Sequence, residues 1–170
     1  MASFFTSVTD EQAELIKNSP VFFVGTSAPT TADISEGLGP INISPKGGTR
    51  LHIINSNCVA FLDYTGSGNE TANHISAGSP ITVMICSFEE DDAAIVRLYG
   101  KATITPIDQH TLGKELLKNG SNEIKLTPRQ VIEIQVDKTT TSCGYGVPAM
   151  TYVRERRTVD RGRQYKTNKK

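Results

Sequence analysis

Apolar residues in this chain gather in short β-branched and aromatic runs, each closed by turn-forming residues, which is the pattern of strands rather than of long helices. Val21-Phe22-Phe23-Val24-Gly25-Thr26 is the first such run. Further strands are predicted at Ile41–Ser44, Arg50–Ile54, Val59–Tyr64, Ile81–Phe88 and Ile95–Thr105. Val131–Val136 alternates, with Ile132, Ile134 and Val136 on one face and Glu133 and Gln135 on the other. Helices are few. Thr9-Asp10-Glu11-Gln12 reads as a capping box opening a short helix with Leu15 and Ile16 on its apolar side and Pro20 beyond its end. Two more short helices are expected at residues 69–77 and 108–118, and the Ser-, Thr-, Gly- and Pro-rich residues 27–40 form a loop. Many strands, short turns and little helix predict a mainly β fold: a closed or sandwiched antiparallel sheet, best drawn as a barrel with a few peripheral helices.

Composition adds bounds. With 170 residues, 37% hydrophobic and 21% charged, the chain has the size of one domain that can bury a core without disulfides. Residues 1–160 are read as that domain. The formal net charge is zero, yet Arg154–Lys170 carries eight cations against two anions, so the remainder is acidic by six charges. Residues 161–170 are therefore a basic tail, expected to be solvated and flexible, with nuclear entry as one use for it. Nucleic-acid binding would rest on that tail alone and is not the expected role. Cys58 and Cys86 sit in apolar runs and Cys143 in a polar one, with no C-x-x-C spacing, so no metal site is expected. An N-terminus without a basic segment, and no apolar run long enough to span a bilayer, point to a reduced cytoplasmic location away from membranes.

Four stretches carry chemistry. The first, Phe61-Leu62-Asp63-Tyr64-Thr65-Gly66-Ser67-Gly68-Asn69-Glu70-Thr71, ends a strand, passes two glycines and enters a helix. Ser67 and Glu70 stand at capping-box spacing, which makes Ser67 the expected N-cap. Outward amides and a helix dipole make such a turn a phosphate cup, with Ser67, Asn69 and Thr71 adding side-chain donors. The second is Ile41-Asn42-Ile43-Ser44-Pro45-Lys46-Gly47-Gly48, where Pro45 should end or bulge the strand and Lys46 supplies charge. The third is Val96-Arg97-Leu98-Tyr99-Gly100-Lys101, whose Arg97 needs an anionic or carbonyl partner. The fourth, Thr141-Ser142-Cys143-Gly144-Tyr145-Gly146-Val147-Pro148, reads as a compact loop after the last strand.

Taken in order, I-N-I-S-P-K-G, V-A-F-L-D-Y-T-G-S-G-N-E-T-A-N-H-I, I-T-V-M-I-C-S-F-E, R-L-Y-G-K-A and S-C-G-Y-G-V-P resemble the pyridoxamine 5'-phosphate oxidase-like FMN-binding split-barrel proteins, from about Val21 to about Asp160. That resemblance implies a split β-barrel and a homodimer with FMN in the groove between subunits. It places Ile43, Ser44, Lys46, Asp63, Ser67, Asn69, Thr71, Arg97, Cys143 and Tyr145 on the cofactor. The vitamin B6 oxidases use basic residues in the phosphate turn. Here no Arg or Lys lies between Asp63 and Ser76, so the phosphate's charge must be met by Lys46, Arg50 or the partner subunit.

The implied activity is a flavin-dependent oxidoreductase of unassigned substrate, for the cofactor carries the chemistry and the protein orients it. No catalytic acid or base can be assigned from the sequence. The substrate motif of the true oxidases and their R-L-x-P terminus are missing, so oxidation of pyridoxamine phosphate is not the expected reaction. The alternatives are a non-catalytic flavin or pyridoxal-phosphate binder, a deazaflavin protein, and a haem-binding split barrel using His52, His74 or His110.

Overall fold

The computed structural model describes residues 2–29, 40–66, 68–118 and 127–156. Most of the loop expected over residues 27–40, Ser67 and the tail from residue 157 lie outside that set. The elements run β1 (Ser3–Phe5), α1 (Asp10–Asn18), β2 (Val21–Ser27), β3 (Ile41–Gly47), β4 (His52–Asn55), β5 (Cys58–Tyr64), α2 (Glu70–Ser76), β6 (Ile81–Cys86), β7 (Ala94–Pro106), a 3-10 turn (Ile107–Gln109), α3 (Gly113–Lys118) and β8 (Pro128–Cys143). The fold is mainly β, as the sequence pattern predicts.

All pairings are antiparallel, in the order β3-β2-β6-β7-β8-β5-β4, with β1 added to β8. β8 is the spine. One of its edges takes β7, while the other takes β5 along its first half and β1 along Thr139–Thr141. The sheet curls on itself. Phe22 of β2 and Phe61 of β5 have three strands between them in that order, yet their rings meet edge-on at 5.3 Å. Lys46 of β3 likewise reaches Asp63 of β5 across the interior.

What drives the curl is a single core of inward residues: Phe22 and Val24, Val59 and Phe61, Ile81, Val83 and Ile85, Val96 and Leu98, and Ile132, Ile134 and Val136. Each such side chain contributes about 1.5–3 kcal/mol when removed from water. β5 is buried on both faces, because Ala60 and Leu62 pack outward with Val131 under Leu116 of α3. This is why its sequence is continuously apolar rather than alternating.

Several expected boundaries move. β3 does not break at Pro45 but runs to Gly47; it is the edge of the sheet, where a missing amide can face away from β2. β4 starts at His52 rather than Arg50, and β6 stops at Cys86. The helix expected over 108–118 is a 3-10 turn followed by the shorter α3. β8 extends well past Val136 to Cys143, so the first three residues of the expected Thr141–Pro148 loop are strand. The extension is polar but paid for locally by α1. Gln12, 1% exposed, completes the Thr9 capping box, accepts from Thr139 Oγ1 at 2.9 Å and donates to Thr141 Oγ1 at 2.9 Å.

Candidate functional site

A charged cluster closes one end of the barrel. Alternation along β3 turns Asn42, Ser44 and Lys46 toward the interior and leaves Ile41 and Ile43 exposed. Lys46 Nζ lies 3.6 Å from Asp63 Oδ1 and 5.9 Å from the centre of the Phe61 ring. Asp63 follows Val59 and Phe61 on the inward face of β5 and is itself buried. Its other oxygen, Oδ2, accepts from Arg129 Nη2 at 2.6 Å, Arg129 Nε at 3.2 Å and Gln130 Nε2 at 2.8 Å. Gln130 Nε2 also stands 3.5 Å from Asn69 Oδ1 at the head of α2.

Arg129 reaches this position through a bulge. Asp63 pairs with Gln130 and Tyr64 with Pro128, so Arg129 is the extra residue of β8. In a regular strand Arg129 and Gln130 would point to opposite faces; the bulge brings both onto one carboxylate. Two cations on one anion leave a local charge of plus one.

The glycine turn differs from its expected form. Thr65 is tied to β8 by bonds from its amide (3.0 Å) and hydroxyl (3.2 Å) to the Thr127 carbonyl. The N-cap of α2 is Asn69, not Ser67, and Asn69 makes no capping bond with its side chain. Ser67 lies outside the described residues. The Glu70 carboxylate folds back against Gly68, where an added Cβ would collide with it. Glu70 thus sets a negative charge against the turn, while the positive charges of the cluster belong to Lys46 and Arg129. Thr71 is buried, and its hydroxyl accepts from Asn42 Nδ2 at 2.9 Å. Asn42 also approaches Thr26, whose hydroxyl is 3.0 Å from His74 Nδ1.

The remaining expected residues lie elsewhere. Val96 and Leu98 fill the core, so Arg97 projects from the outer face, where Nη1 donates to Ser142 Oγ at 3.1 Å. Cys86 pairs with Ile95 beside it; burial pushes its thiol above the usual range, while nearby Arg97 pulls the other way. Ile43 and Cys143 are exposed, and Tyr145 is 92% exposed. Gly144 is buried at a close approach: its amide donates to the Ala93 carbonyl at 2.6 Å, and a Cβ there would sit 2.8 Å from Ala93 and Ala94 backbone atoms. Gly146 has open space around it. Within one chain the structure thus gathers Ser44, Lys46, Asp63, Asn69 and Thr71 at one end of the barrel. It leaves Ile43, Arg97, Cys143 and Tyr145 outside.

Sequence reasoning missed Arg129, Gln130 and Asn42. The available signal was Asp63 itself, a carboxylate inside an apolar strand that must find a cation. The histidines are occupied: His74 by Thr26, and His110 by Glu133 at 3.1 Å and the Leu112 amide at 3.2 Å. His52 is held below its ordinary pKa by burial and then by Arg50, with Glu115 opposing. Among the described residues no group of His, Cys, Asp or Glu could hold a metal, and no helix is long and apolar enough to cross a membrane. A cleft of about 1520 Å³ lies between α1, the Gly48–Ile53 segment and Met150–Glu155, and Lys46, Asp63, Arg129 and Gln130 are not among its lining residues.

Comparison with known proteins bears on this architecture. Over 152 residues, 88% of the chain, it is 31% identical to the pyridoxamine 5'-phosphate oxidase family protein ustO of Aspergillus flavus. The chain belongs to the pyridoxamine 5'-phosphate oxidase-like split-barrel family. It spans 57% of the length of that relative, a little over half. No protein-family model matches. Solved structures share the fold at low identity. HupZ of Group A Streptococcus superposes with a TM-score of 0.57 at 20% identity, covering 78% of this chain and 91% of that one. A Clostridium acetobutylicum protein of the pyridoxinephosphate oxidase family, related to a general stress protein, gives 0.51 at 14%, covering 78% and 86%. An FMN-binding protein of Syntrophomonas wolfei gives 0.52 at 8%, covering 84% and 90%.

Proposed function

We propose that this split-barrel protein binds FMN in a homodimer and works as a flavin-dependent oxidoreductase. The observation that carries the reading is the positive seat at the barrel end, where Lys46 and Arg129 share Asp63 beside the glycine turn. A phosphate monoester needs such a seat, and the residues present fit it: two cations offset by one carboxylate, with the Asn69 side-chain amide near Gln130. Family membership and an FMN-binding neighbour of the same fold support the choice of flavin.

Dimerisation is favoured by the outer face. Ile41 and Ile43 are 68% and 71% exposed on the edge strand β3, and Phe23 and Met84 continue the apolar surface across β2 and β6. A second copy on this face would bring outward groups such as Arg97 toward a flavin shared between subunits.

When bound, the flavin supplies hydride or electron transfer. The chain's own part is to hold the phosphate with Lys46 and Arg129, which Asp63 keeps in place, to orient the cofactor, and to present Arg97 on the covered face. Oxidation of pyridoxamine phosphate is not proposed, since the residues present do not match the oxidases' substrate motif.

The test is the absorbance spectrum of the purified protein before and after addition of FMN, followed by anaerobic photoreduction and reoxidation by added acceptors. A two-band flavin spectrum that persists through gel filtration, with reoxidation faster than free FMN, supports the reading. A retained flavin that reoxidises no faster makes the protein a binder without catalysis, and a Soret band would replace flavin by haem.

A further inference from the structure

We infer that Arg129 is the residue that grips the phosphate group of the bound ligand, with Asp63 as its positioning residue and Lys46 as the second cation. This rests on the reading of the site as a phosphorylated-flavin seat, and it replaces Arg50, the other cation that the sequence offered. Three observations converge on it. The bulge in β8 serves to aim Arg129: it is the residue skipped between the Asp63–Gln130 and Tyr64–Pro128 pairs. Asp63 holds two cations although a carboxylate retained for stability needs only one, so the cluster keeps an excess positive charge. Arg129 is incompletely used. A guanidinium has five N–H donors, and Asp63 takes one from Nε and one from Nη2. Among the described residues none of the other three has a partner, and 28% of the side chain meets solvent.

The chemistry selects the ligand. A planar fork with free donors, fixed in orientation by a buried carboxylate, matches two oxygens of a phosphate better than it matches the carbonyls of a flavin ring. Gln130 couples the fork to the helix head by bridging Asp63 and Asn69. By contrast Arg50 is exposed and lines the cleft between α1 and Met150–Glu155, which Lys46, Asp63 and Arg129 do not line.

The test compares FMN with riboflavin, which lacks the phosphate. In equilibrium titrations followed by flavin fluorescence, Arg129→Gln should weaken FMN about tenfold or more and leave riboflavin unchanged, the loss of one charge-assisted contact. Arg129→Lys should recover part of the loss, and Arg50→Gln should change neither ligand. A second readout needs no variant: phenylglyoxal modification of the wild-type protein, mapped by mass spectrometry. FMN and inorganic phosphate should protect Arg129, and riboflavin should not. If FMN binds while Arg129 is modified equally with and without it, or if Arg129→Gln weakens both flavins alike, the assignment is overturned and the flavin reading stands. If wild type binds neither flavin, the flavin reading fails; protection of Arg129 by phosphate then still upholds an anion seat, and its absence overturns that as well.

Discussion

Replacing Asp63 by Ala puts the charge balance of the barrel end to a direct test. The carboxylate accepts from Arg129 at 2.6 and 3.2 Å and from Gln130 at 2.8 Å, and it faces Lys46 at 3.6 Å. Its removal leaves two like charges at the same spot and a glutamine amide without its acceptor. Breaking a fully buried pair costs about 3–5 kcal/mol. Here the cations keep 19% and 28% of their side-chain surface in solvent, so water screens part of the repulsion and about 2–3 kcal/mol is expected. For a chain of this size that is a fall in Tm of roughly 4–12 °C. Thermal unfolding followed by circular dichroism measures it, and salt identifies the cause. If repulsion between Lys46 and Arg129 is the source, the deficit of Asp63→Ala shrinks as ionic strength or inorganic phosphate rises, and Lys46→Ala partly restores the double variant. A drop below about 1 °C, or a deficit indifferent to salt and to Lys46, would refute the reasoning.

Other consequences are more local. Gly144→Ala should destabilise by about 2 kcal/mol or more, because its Cβ would press on the Ala93–Ala94 backbone, while Gly146→Ala stays within about 0.5 kcal/mol; paired melting curves compare them. Ile41→Ser with Ile43→Ser should shift sedimentation from dimer toward monomer with little change in Tm, since both side chains are exposed on a single chain. Cys143 should be alkylated rapidly under native conditions, whereas Cys58 and Cys86, buried with thiols raised above their ordinary range and so protonated near neutral pH, should react only on unfolding; mass spectrometry counts the labels. His52, held below its ordinary value, binds its proton more readily in the unfolded chain, so its effect is loss of stability as pH falls below about 6.5. His52→Gln should flatten that part of the stability profile.

Much of the fold could be read from the residues because one physical signal, apolar side chains confined to short runs, marks every strand that feeds the core. The Thr9 capping box was equally plain, since both halves of it are local. Harder to see was the second half of β8: Asp137–Cys143 is polar, and it is strand because Gln12, far away in sequence, satisfies Thr139 and Thr141. β1 is three residues long, with Phe4 and Phe5 exposed, and gave no pattern at all. Pro45 misled because a proline breaks an interior strand but not an edge one, and sequence alone does not say which strand is at the edge. In the site, Lys46 was legible as a charge beside the glycines, and Asp63 was offered only by the resemblance. Arg129 was not, because its direction depends on a bulge that exists only once β5 and β8 are paired.

The central claim is that this barrel holds a flavin by its phosphate. Titration of the dialysed protein with FMN, read by quenching of flavin fluorescence at low and raised salt, tests it most directly. The expected result is saturable binding approaching one FMN per chain, weakened by salt and stronger than for riboflavin. Unsaturable quenching at every ionic strength, or equal affinity for the two flavins, would contradict the account.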